Sequence, residues 1–234
     1  MEDPAGSLVF QQISQDMITP SFDISIYSKT APNGGQLQYR RGETVTGVAV
    51  SVNYVSGPPS SASIVNSFGG SSNGGDVNPG AWTINSPFAT GTLAGSVKRN
   101  GSDLGADPTM TATLTALKGA SSKQDSFTLT WTRDVYWGVD AAGLNTEASI
   151  EGLANTTLAA SRSRTLTVSP SNQKVYYAFP KAYGTATFTL NGFPASFNAP
   201  SEISVTNVNS VMSTYYLYES TNLLTGSNLN FVVT

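Results

Sequence analysis

Met110-Thr111-Ala112-Thr113-Leu114-Thr115-Ala116 and, a little further on, Phe127-Thr128-Leu129-Thr130-Trp131-Thr132 alternate apolar and threonine side chains without a break. Successive side chains of a strand point to opposite faces, so a period of two predicts strands with one buried face and one threonine face. Threonine's branched Cβ suits such a pleated, half-buried surface. The same period recurs outward in both directions. It is seen in Phe22, Ile24 and Ile26, in Val48, Val50, Val52 and Tyr54, in Leu166 and Val168, in Ala186, Phe188 and Leu190, and in Leu229, Phe231 and Val233. Turn signals lie between these runs, among them Pro32-Asn33-Gly34-Gly35, Gly57-Pro58-Pro59, Asn100-Gly101, Asn191-Gly192 and Thr225-Gly226. Many short strands with regular punctuation predict an all-β chain of sandwich or barrel type. Helix is expected only within Ala148 to Ala160, and for no more than two turns.

The pattern divides the chain into parts. Residues 1–20 lack strand periodicity and read as an N-terminal arm. Residues 21–133 carry about seven strand candidates, the size of one immunoglobulin-like sandwich. Residues 134–234 form a second, smaller sandwich, in which 134–160 is a less periodic bridge. The expected fold is therefore two tandem immunoglobulin-like β-sandwich domains with a short N-terminal arm. Ser56 to Gly80 reads as one long polar loop, and Gly69 to Gly75 within it is almost free of side chains.

Composition narrows the function. Only 12% of the 234 residues are charged, about half of the ~25% usual in soluble globular chains, while Ser and Thr together number 58. A neutral, hydroxyl-rich surface follows, which suits a component of an extracellular or assembled particle. The net charge of −3 argues against phosphate-backbone binding as the main task. Arg40-Arg41, Lys98-Arg99 and Arg162-Arg164 read as solvated strand ends. The absence of Cys rules out disulfides and thiolate metal sites. Neither a secretory leader nor an apolar run of ~20 residues is visible, so the expectation is synthesis in a host cytoplasm without membrane insertion.

Catalytic chemistry finds little to stand on. With no His, the Ser-His-Asp and Cys-His arrangements are absent. A glycan-cleaving carboxylate pair could be drawn from Asp103 with Asp107 or Asp134 with Asp140, although solvated loop carboxylates are the plainer reading. Asn73, Asp76 and Asn78 have spacing compatible with calcium, against a plain Asx-rich turn. The expectation is a non-enzyme with no cofactor and no metal.

Two tyrosine clusters are the interface candidates: Tyr176, Tyr177 and Tyr183, then Tyr215, Tyr216 and Tyr218. Adjacent strand residues face opposite ways, so one of each neighbouring pair faces away from the core. It then meets a subunit or a glycan, unless the other sheet or the 134–160 bridge covers that face.

The order of Val175-Tyr176-Tyr177-Ala178-Phe179-Pro180-Lys181-Ala182-Tyr183-Gly184, Val205-Thr206-Asn207, Tyr215-Tyr216-Leu217-Tyr218-Glu219-Ser220 and Asn222-Leu223-Leu224-Thr225-Gly226-Ser227 resembles a β-rich segment of bacteriophage tail and other virion structural proteins. Gly42-Glu43-Thr44-Val45 and Asp134-Val135-Tyr136-Trp137-Gly138-Val139 are compatible with it. The resemblance is strongest over 174–234. It implies a component of a phage particle and does not fix the place in that particle. Taken with the low-charge surface, the first reading is a tail structural protein (fibre, baseplate or tail-associated) that assembles with other virion proteins and touches the host surface. The partners expected are copies of the chain, as a trimer by analogy with fibres, and, through the outward tyrosines, a host-surface glycan. A capsid decoration or head-fibre protein and a carbohydrate-binding adhesive module are the alternatives.

Overall fold

A computed structural model describes residues 23–30, 37–46, 48–55, 57–67, 82–85, 88, 90–93, 96–99, 108–141 and 143–234. The arm at 1–20, Gly69 to Gly75, the Asn73/Asp76/Asn78 set and the Asp103/Asp107 pair lie outside the described residues.

The chain is nearly all β. In the first half run β1 (Asp23–Thr30), β2 (Gln38–Arg40), β3 (Thr44–Thr46), β4 (Ala49–Val55), β5 (Ser61–Asn66), β6 (Trp82–Asn85), β7 (Thr90–Leu93), β8 (Ser96–Lys98) and β9 (Thr109–Lys118). The 20-residue strand β10 (Ser121–Asp140) follows, then helix α1 (Glu147–Glu151), β11 (Asn155–Ala159), β12 (Arg164–Val168) and β13 (Ser171–Pro180). The chain ends in β14 (Phe188–Leu190), β15 (Phe193–Pro194), β16 (Ser201–Thr206), β17 (Met212–Glu219), β18 (Leu224–Thr225) and β19 (Leu229–Val233).

One nine-stranded sheet, along the path β16-β17-β13-β10-β9-β5, draws strands from both halves of the chain. A four-stranded sheet, β1-β4-β7-β6, belongs to the first half, and another, β12-β19-β14-β15, to the second. The first half of β10 pairs antiparallel with β9, from Ser121↔Lys118 to Thr130↔Thr109. Its second half pairs with β13 on one edge, with Trp137↔Tyr177, and with β11 on the other, with Tyr136↔Thr156.

The expected division at 133/134 thus falls inside a continuous strand. The apolar cores nevertheless part there. The first gathers Tyr39, Val50, Val52, Ile64, Leu114 and Trp131, among others, between the first-half sheets. The second lies beyond Val135, with Tyr177, Phe179, Phe188, Tyr218 and Phe231 packed between the long sheet and β12-β19-β14-β15. A third covers the opposite face of the long sheet, where Tyr136, Tyr176, Tyr215 and Leu217 meet Ile150 and Leu153.

Two expectations are corrected. Residues 134–140 are not a bridge but the continuation of β10; they lack alternation because both faces of the sheet are covered there. The short helix expected in this region forms at Glu147–Glu151, under two turns long, opened by a Thr146/Ser149 capping box and closed at Gly152. Asn155–Ala159 is instead strand β11, because β-branched Thr156 and Thr157 find a free edge of β10 to pair with. Within the expected loop from Ser56, Ser61–Asn66 is strand β5, paired along β9 with Ile64 turned inward.

Gly138 shows how the third layer closes. It stands opposite Tyr176, and a Cβ there would meet the Ala154 amide nitrogen at 3.1 Å and Leu153 Cδ2 at 3.2 Å. Any larger residue would make the segment after α1 give way by a few tenths of an ångström, so glycine suits this close approach to the sheet. At Asn191-Gly192, both residues have positive φ (53° and 82°), as a two-residue hairpin joining β14 to β15 requires.

Candidate functional site at the junction of the two cores

Where the cores part, β10 carries Thr132, Arg133 and Asp134, all buried, between Trp131 of the first core and Val135 of the second. Two charged residues inside a strand otherwise flanked by core side chains must find partners, or desolvation would cost several kcal/mol. Parallel pairing supplies one. Strand β2 aligns Gln38, Tyr39 and Arg40 with Thr130, Trp131 and Thr132. This register brings the Arg40 guanidinium onto Asp134, with Nε donating to Oδ2 at 2.6 Å and Nη2 to Oδ1 at 2.8 Å. Such a two-pronged contact is the strong form of a charged pair. It holds the Arg40 proton more tightly than usual, first through the hydrogen bonds to Asp134 and against the opposing effect of burial.

The second half reaches across with neutral groups. The Arg41 carbonyl accepts hydrogen bonds from the side-chain amides of Asn207 (2.8 Å) and Asn209 (3.0 Å) on the β16–β17 turn. Asn207 is itself held, because its Oδ1 accepts from the Asn209 and Val211 amides. Arg133 Nε donates to Ser213 Oγ at 3.1 Å, and Tyr215 Oη donates to the Asp134 carbonyl at 2.8 Å. Within the separate halves, Trp131 Nε1 donates to the Glu43 carbonyl at 3.0 Å, and the Thr206 amide donates to the Glu147 carboxylate. At about 1 kcal/mol net per hydrogen bond, the seam adds several kcal/mol of orientation-specific contact to the shared strand.

Beside the seam opens a cleft of about 260 Å³, lined by Arg40, Asp134, Tyr136, Glu151, Thr156 and Asn207, with Val208 at its rim. Tyr136 is 6% exposed, and its hydroxyl has no hydrogen-bond partner among the described residues. Burial foremost, with Asp134 and Glu151 nearby, pushes its phenol well above the ordinary value.

The structure places the sequence-derived candidates as follows. Tyr176, Tyr177, Tyr215 and Tyr218 are buried within the chain itself. Tyr177 and Tyr218 lie on one face of the long sheet, and Tyr176 and Tyr215 on the other. The outward member of each neighbouring pair is thus covered, on the β13 side by α1 and Leu153 of the 134–160 segment. Tyr183 and Tyr216 are half-buried; Tyr183 Oη donates to the Ala159 carbonyl, and Lys181 Nζ sits 5.7 Å from the Tyr216 ring centre. Asp134 and Asp140 stand six residues apart on one strand, about 20 Å, far beyond the ~5–9.5 Å of a glycosidase pair.

The basic spots are also corrected. Arg41 and Arg99 are buried, Arg162 Nη1 donates to the Tyr183 carbonyl, and Arg164 lies 4.5 Å over the Trp137 ring. Sequence reasoning missed the seam. Its signal was Arg133-Asp134, two charges set between Trp131 and Val135. Among the described residues no helix is long and apolar enough to cross a membrane, and no three His, Cys, Asp or Glu side chains gather as a metal site.

No protein-family model, no curated protein and no solved structure matches the chain.

Proposed function

We propose that the chain is a non-enzymatic bacteriophage virion structural protein of the tail: a fibre, baseplate or tail-associated protein acting in assembly and host attachment. On this reading the halves are tandem immunoglobulin-like sandwiches that assemble with other virion proteins and with copies of themselves, as a trimer by analogy. The single observation that carries it is the shared strand. Strand β10 serves both halves over 20 residues, and the seam at 132–134 cross-braces it, so the two halves transmit load as one body. The low-charge, Ser- and Thr-rich surface and the resemblance of residues 174–234 support the same reading.

The test is cryo-EM of virions that contain the chain. A few symmetric copies on the tail are expected. Hundreds of copies on the shell would make it a decoration or head-fibre protein, and absence from the particle would overturn the virion reading.

A further inference from the structure

We propose that the junction cleft binds one neutral sugar ring. The argument starts from what converges there. Tyr136 is buried yet lines the opening, and its hydroxyl has no hydrogen-bond partner among the described residues. Arg40, a third exposed, uses Nε and one Nη2 hydrogen on Asp134 and lines the same opening with the rest of its guanidinium. Glu151 and Thr156 are exposed at its edge, and neither side chain has a hydrogen bond or ion pair among the described residues.

Donors held in place by the seam therefore stand beside the unengaged Glu151 carboxylate. A vicinal diol matches that pattern, because each hydroxyl both donates to a carboxylate and accepts from a guanidinium or phenol. Val208, 82% exposed at the rim, offers apolar surface to the C–H face of a pyranose. The volume of about 260 Å³ falls just below the ~300–1,000 Å³ of drug-sized pockets, which suits a single ring with its chain continuing into solvent. Arg40 and Asp134 neutralise each other, so Glu151 leaves the cleft mildly acidic and disfavours anionic sugars. The seam already holds Arg40, Asp134 and Asn207 in place, so binding orders little.

The inference gives the attachment role a ligand class. It rests on the tail reading only for where the sugar is met, and the isolated chain suffices to test it. Saturation-transfer NMR and calorimetry with free glucose, galactose, rhamnose, N-acetylglucosamine and sialic acid would be run on the full chain. Millimolar binding of at least one neutral sugar is expected, with sialic acid weaker. Tyr136→Phe and Glu151→Gln should each weaken it about tenfold, the equivalent of ~1.4 kcal/mol, without moving the melting temperature. Val232→Ser, on an exposed position of β19, should leave it unchanged. Absence of binding to any neutral sugar, binding indifferent to both cleft variants, or preference for a cationic probe such as spermidine would overturn it. Failure of the tail reading would appear only in the virion images.

Discussion

The two halves hold together in different ways although they share a strand. The first core is aliphatic, built from Val45, Val48, Val50, Val52, Ile64, Met110 and Leu114 with few aromatics, and its long sheet is buried on one side only. Strand β9 alternates accordingly, and its threonines, with Ser126 and Thr128 of β10, stay at least partly open to solvent. The second half is aromatic and buried on both sides. Strand β13 is covered without a gap from Val175 to Pro180. Phe179 stacks on Tyr218 with centroids 5.7 Å apart, and Phe188 on Phe197 at 3.8 Å. Its tyrosine hydroxyls also tie strands to loops: Tyr177 donates to the Arg162 carbonyl at 2.7 Å, and Tyr218 accepts from the Ala186 amide at 3.0 Å. A one-sided sheet needs only the right period, whereas a two-sided sheet needs a second layer delivered from elsewhere in the chain.

The sharpest way to break this comparison is a charge on the second face of β13. Tyr176→Lys should cost more than ~4 kcal/mol by burying an ammonium among Ile150, Leu153 and Leu217, and near-UV circular dichroism should show loss of the native packing. A soluble, native-like variant would show that the third layer opens freely. Next in size is the seam. Asp134→Ala should cost roughly 2–3 kcal/mol in urea unfolding, less than the ~3–5 of a fully buried pair because Arg40 is a third exposed. Two separate unfolding transitions in that variant would mean that the ion pair, rather than β10, couples the halves.

Alkaline pH distinguishes the halves further. Burial pushes the Tyr39 phenol up to about 12 and raises Tyr54 in the first half. In the second half it raises Tyr136, Tyr176, Tyr177 and Tyr215. Raised folded values mean that the native state holds these protons more tightly than the unfolded chain, where they leave near ~10. Their stabilisation is complete below pH ~10 and is lost as pH rises through the folded values. Urea midpoints measured from pH 9 to 12 should therefore fall. Tyr177→Phe should flatten the fall more than Tyr54→Phe; equal flattening would remove the contrast. The smallest effect is expected on the open face, where Thr113→Lys should change stability by less than ~0.5 kcal/mol and leave one cooperative melt.

Much of the first half is legible in the order of its residues. Met110, Ala112, Leu114, Phe127, Leu129 and Trp131 are buried where the alternation puts them. The Asn191-Gly192 turn also forms as its dipeptide predicts. The second half is legible only in outline. Tyr176 and Tyr177 point opposite ways as expected, but local sequence carries no sign of what covers each face. Strand β5 is hidden because Ser61 and Ser63 make it look like part of a polar loop. The cleft is hidden because Arg40, Asp134, Glu151 and Asn207 are far apart in the chain and meet only through the β2–β10 register and the β16–β17 turn.

By itself the sequence determined that this chain is β, where its longer alternating strands lie, and which side of those strands turns inward. Those properties rest on backbone sterics and a period of two, which act between near neighbours. Only the tertiary structure decided that one strand serves both cores, that Tyr176, Tyr177, Tyr215 and Tyr218 lie inside, and that Arg40 meets Asp134. Those properties rest on long-range pairing, where a strand covered on both faces has no period to read and a buried charge is explained only by its distant partner.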